Sequence, residues 1–156
     1  MKKVLIALDY DPTAQKVAET GFAVAKSMGA QVILLHVISE PVYYSSTEYS
    51  PIMGFGGYFI SGASELSSEE TLKESSLDFL AKTRSHLGDE SIQTLVKEGE
   101  FAETILKTAK QNQADMIIMG SHSRKWLDNI IMGSVTGKVL NHSDIPLLII
   151  PTGQAK

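Results

Sequence analysis

The chain has 156 residues, 43% of them hydrophobic and 21% charged, which suits one domain with a sizeable core. A net charge of −4 argues against a general nucleic-acid binder, and the lack of cysteine excludes disulfides and thiolate metal sites. No apolar run approaches the length of a membrane span, and Met1-Lys2-Lys3 passes directly into Val4–Leu8 with no room for a leader, so a cytoplasmic protein without membrane partners is expected.

Val4–Leu8 is apolar throughout, as a strand buried on both faces must be. Asp9 ends it, and Asp11-Pro12-Thr13 supplies a helix start. Val17, Phe22, Val24, Ala25 and Met28 follow at roughly helical spacing, with Gly29 as the stop. A second apolar strand spans residues 31–38. Strand, helix and strand in under forty residues favour parallel pairing through a right-handed crossover.

Residues 40–66 break this rhythm, being rich in glycine, proline and aromatic side chains. A connection of this length inside a compact domain is often functional. It reads as an insertion that serves as a surface flap, a lid or a segment for an unknown protein partner. A helix is expected from about Ser67 to Gly88, a third strand over Ser91–Val96 ended by Lys97-Glu98-Gly99, and a short helix around Phe101–Ala109. The fourth strand is Met116–Met119, the last helix runs from Ser134 to about His142, and the fifth strand lies within Ile145–Pro151. The fold class is therefore α/β, a doubly wound five-stranded parallel sheet with helices on both faces. The fifth strand bears no charge, so at a sheet edge it invites pairing with a second copy. A homodimer through Pro146–Ile150 is expected.

Open parallel sheets bind ligands beyond the carboxyl ends of their strands. Asp9, Val37 and Gly120 all stand at such ends. If strands one and four are neighbours, a carboxylate at Asp9 can accept ribose hydroxyls while Ala7 and Val37 flank a purine. Gly133 and the first amides of the last helix, at Ser134, Val135 and Thr136, can take phosphates, with the hydroxyls of Ser134 and Thr136 as further donors. Gly133–Lys138 is not a P-loop, because one residue is missing between the glycines and Val139 stands where a metal-binding hydroxyl belongs. No Ser–His–Asp arrangement or metal-ligand spacing is evident, so no catalytic or metal-ligating residue is assigned. His36 reads as a packed strand residue.

The run Gly120-Ser121-His122-Ser123, nine residues, then Gly133-Ser134 resembles the Gly-x₂-Gly-x₉-Gly-[Ser/Thr] motif of the ATP-binding branch of the universal stress protein family. The similarity extends over the whole chain, 1–156, through the opening Leu-Asp, the Leu-Leu-His-Val strand, the Met-Gly-Ser-His turn and the closing Ile-Pro strand. It implies strand order 3-2-1-4-5, dimerisation through strand five, and a stress-response or signalling module; any ATP hydrolysis is expected to be slow at most, because no convincing general base or water-positioning residue is evident. It also implies ATP as ligand, optionally with Mg²⁺ or Mn²⁺. Asp9 would hold the ribose, Ala7 and Val37 would line the adenine pocket, and Met119 and Gly120 would approach base and sugar. Gly133, Ser134, Val135 and Thr136 would bind phosphates. Ser123 departs from the motif glycine; its hydroxyl can donate to a phosphate, and Arg124 and Lys125 place cations beside it. The alternative is an interaction module of the same fold that binds no nucleotide. An enzyme acting on an adenylated or phosphorylated substrate rests on fold analogy alone.

Overall fold

The computed structural model describes residues 2–9, 13–39, 69–121 and 134–152. The proposed insertion at 40–66 lies outside the described residues. Five strands form one parallel sheet: β1 (Lys3–Leu8), β2 (Gln31–Ile38), β3 (Gln93–Glu98), β4 (Met116–Gly120) and β5 (Leu147–Ile150). Their order is β3-β2-β1-β4-β5. The helices are α1 (Ala14–Ser27), α2 (Glu69–Leu87), α3 (Phe101–Gln111) and α4 (Ser134–His142).

Side chains alternate across the sheet and build two apolar layers. Val4, Ile6, Leu8, Val32, Leu34 and Ile118 meet Val17, Ala18 and Ala25 of α1 and Leu80 of α2. On the other face Leu5, Ile33, Leu35, Val37, Ile117 and Met119 meet Ala102, Ile105 and Ala109 of α3 and Val139 of α4. Each fully buried Leu or Ile contributes about 1.5–3 kcal/mol, so these layers are the main stabilising term. The central strands are continuous apolar runs because they are covered on both sides.

Helix α1 stops as expected at Gly29, whose φ of 65° is the left-handed conformation. The amides of Gly29 and Ala30 then reach back to the Lys26 and Ala25 carbonyls at 3.0 and 2.9 Å. The start of β1 is tied to β4 by Asp115, whose Oδ2 accepts the backbone N–H groups of Lys2 and Lys3, both at 2.9 Å. The Lys2 amide, then that of Lys3, holds the Asp115 carboxyl below its usual range.

β3 corrects the sequence reading. The strand spans Gln93–Glu98, and Lys97 and Glu98, taken as its terminators, pair in register with Val37 and Ile38. The physical reason is position: β3 is an edge strand, where charged side chains reach solvent without leaving the ladder. β5 forms the other edge, which is the condition on which the expected homodimer rests.

Candidate functional site

Strand order turns at β1, which has β2 on one side and β4 on the other. The chain winds from β1 to β3 in one direction and then crosses to β4, and α1, which follows β1, lies on the opposite face from α4, which follows β4. The carboxyl ends of β1 and β4 therefore border the crevice where open α/β sheets take ligands.

The parallel register decides which side chains meet there. Ala7 lies opposite Leu35, and Val37 is one rung further along the same face of β2. Ile6 pairs with Ile118, which sets Met119 beside Ala7. Ala7, Val37 and Met119 all belong to the apolar layer under α3 and α4, and half-buried Val135 packs against the same layer. Val37 and Met119 are buried, whereas Ala7 and Asp9 are half-buried at the rim. Asp9 follows the last residue of β1. Four of the candidate residues thus share one apolar floor, with a carboxylate at its edge.

The end at which phosphates were expected is anchored by interactions the sequence reading did not anticipate. The Thr136 hydroxyl, expected as a phosphate donor, instead donates to the Gly120 carbonyl at 2.9 Å, and the side chain is buried. What Thr136 can offer a ligand is its backbone amide at the start of α4. Ser134, the first residue of that helix, is exposed, and its hydroxyl stands at the surface. Just after β4, the Ser121 amide donates to the Ile150 carbonyl at 2.9 Å, and the Ser121 hydroxyl accepts the Thr152 amide at 3.0 Å. The two hydroxyls of Ser121 and Thr152 also meet at 3.2 Å. Residues 120 and 121 therefore hold both the exit from β4 and the entry to α4. Ser123, Arg124 and Gly133 lie between them, outside the described residues, as do Lys125, Trp126 and His122.

Gly120 has a packing requirement of its own, beside the expected approach to base and sugar. A Cβ there would come within 2.9 Å of Thr152 Cγ2 and 3.2 Å of Val17 Cγ2. Both neighbours belong to the protein, and Val17 lies on the α1 face, opposite Ala7 and Met119. The glycine is required by packing between β4, α1 and the segment after β5.

Two further residues shape this end of the sheet. Glu100 caps α3, accepting the Glu103 amide at 2.7 Å, and its other oxygen lies 3.3 Å from Lys138 Nζ on α4. The Glu103 amide is the main reason its carboxyl is held below the usual range. His36 is buried in β2, with Nδ1 at 2.9 Å from the Leu8 carbonyl and its ring edge-on to Phe79, centroids 5.9 Å apart. It is indeed a packed strand residue. Desolvation pushes its pKa below the ordinary value of 6.5, against the opposing effects of the Leu8 carbonyl and the Asp9 charge. The folded protein keeps this imidazole neutral, whereas the unfolded chain takes up a proton near pH 6.5. The stability it contributes is thus complete above that pH and declines as pH falls below it. Urea unfolding should show a lower midpoint at pH 5.5 than at pH 7.5, with a smaller difference in His36→Asn; equal differences would place the effect elsewhere.

The model of the universal stress protein family matches residues 1–151. The chain belongs to the universal stress protein family. It is 31% identical over 153 residues to universal stress protein MJ0577 of Methanocaldococcus jannaschii, covering 96% of this chain and 94% of that one. A solved structure of MJ0577 superposes with a TM-score of 0.73 at 28% identity, over 99% of this chain and 98% of the other. A universal stress protein solved in complex with cAMP shares the fold, with a TM-score of 0.59 at 15% identity over 96% and 95% of the two chains. In this family member the doubly wound sheet is thus the family architecture, and α4 begins at Ser134, the serine of the motif's glycine–serine pair.

Proposed function

We propose that this universal stress protein binds ATP at the crevice between β1 and β4 and works as a dimeric stress-response module. The observation that supports this most is the shared floor of Ala7, Val37 and Met119 with Asp9 at its rim. An apolar floor suits the faces of a purine, and a carboxylate suits the two hydroxyls of a ribose. In this reading the adenine lies against Ala7, Val37 and Met119, the ribose is held by Asp9, and the backbone at Gly120 borders the sugar. The phosphates extend toward the amides of Gly133, Ser134, Val135 and Thr136, with Ser123 and Arg124 as further donors. The unpaired amides at a helix start, together with its dipole, favour anionic groups. That a protein of the same fold has been solved with cAMP agrees with an adenine nucleotide as the ligand class.

Asp9→Ala tests the pose. Removing a charged hydrogen-bond acceptor should weaken ATP binding about 10- to 100-fold in titration calorimetry of the folded variant. Unchanged affinity would take the ribose away from Asp9.

The dimer is proposed to form by pairing the β5 edges of two copies. Main-chain donation from Ser121 to Ile150 and from Ile117 to Pro146 shows that alternate residues of β5 face β4. The main-chain groups of Leu147 and Ile149 consequently face outward, free to pair with a second copy. Sedimentation at micromolar concentration should give a dimer; a monomer would refute this interface.

A further inference from the structure

His36 raises a question that core packing does not answer. Every residue from Val32 to Ile38 is buried, and an imidazole in such a run costs desolvation that Leu or Phe would not. Its edge contact with Phe79 needs only a ring. Its polar contact with the Leu8 carbonyl is what an apolar side chain could not make. A carbonyl can only accept, so Nδ1 is the protonated nitrogen of the neutral ring.

The place of that carbonyl is informative. It belongs to the peptide linking Leu8 to Asp9, the last rung of β1. Pairing of β1 with β4 ends earlier, at Ile6 and Ile118, whereas pairing with β2 continues to Leu8 and His36. The Gln31 amide donates to the Lys2 carbonyl, so by alternation the Leu8 carbonyl faces β2, within reach of the imidazole. Beyond the last β4 rung, β2 alone steers the chain toward Asp9.

We propose that His36 is a positioning residue for the nucleotide site, fixing the Leu8–Asp9 peptide through its buried hydrogen bond and so aiming the Asp9 carboxylate. This rests on the ATP reading given above. His36 touches no ligand; it acts through Asp9.

The test is ATP titration calorimetry on folded wild type and variants. His36→Asn places an amide donor near the position of Nδ1, whereas His36→Gln carries its amide toward the position of Nε2. Asn should bind ATP within about twofold of wild type and Gln about fivefold more weakly, the scale of one misplaced hydrogen bond. In an Asp9→Ala background, the Asn and Gln variants should bind alike, because the residue through which His36 acts is gone. Equal affinity of the two variants with Asp9 present would overturn the inference, as would an undiminished difference without Asp9. If wild type binds no ATP, the nucleotide reading itself fails and this inference falls with it. Wild-type binding with indifferent His36 variants removes this inference alone.

Discussion

Ala7→Phe should lower ATP affinity by more than about 100-fold, below detection for a ligand bound in the micromolar range. Ala7 lies between Leu35 and Met119 in the sheet, on the floor proposed for the adenine. A benzyl group there occupies the space the base would need. The side chain is half-buried at the carboxyl end of β1, so the ring can extend into the crevice instead of being forced into the packed layer. Calorimetry should therefore give no heat while urea unfolding stays close to wild type. Binding that survives unchanged would place the base elsewhere in the fold.

Gly120→Val has the second large effect, and it falls on stability. The Cβ alone meets Thr152 Cγ2 at 2.9 Å and Val17 Cγ2 at 3.2 Å, and valine adds two methyl groups. Thr152 cannot swing aside without disturbing its hydroxyl contact with Ser121, and Val17 is buried in α1. Overpacking of this kind costs about 1–3 kcal/mol and sometimes more, against a total stability of about 5–15 kcal/mol. A loss of about 3 kcal/mol is expected from the urea midpoint, and a midpoint equal to wild type would contradict the packing account. The result also separates two meanings of this glycine: the destabilisation should appear with no nucleotide present.

What a stretch of sequence contains is distinct from what it meets in the fold. The central strands were legible because a parallel strand covered on both faces must be largely apolar, and residues 4–8, 32–38 (His36 apart) and 116–119 have that form. The end of β3 was not, since Lys97 and Glu98 look like terminators until their edge position is known. The candidate floor was legible in part: the endings of β1, β2 and β4 can be read, but their adjacency depends on strand order, for which the family motif was the guide.

The tethers were hidden for a different reason. A threonine near a helix start reads equally well as a phosphate donor or as an anchor, and its partner, the Gly120 carbonyl, is 16 residues away. His36 and Leu8 are 28 residues apart, and Ser121 and Thr152 are 31 apart. No local pattern announces such pairs. Glu100 was missed because glutamate is not among the preferred N-cap residues, although Glu103 three positions later is the spacing of its amide partner.

An adenine nucleotide held between β1 and β4 is the function proposed for this family member. Titration calorimetry of ATP into the folded wild-type protein tests it most directly. Saturable binding of one ATP per chain is expected, with a dissociation constant in roughly the micromolar range. A flat titration from folded protein free of co-purified nucleotide would contradict it, and would favour an interaction module of the same fold.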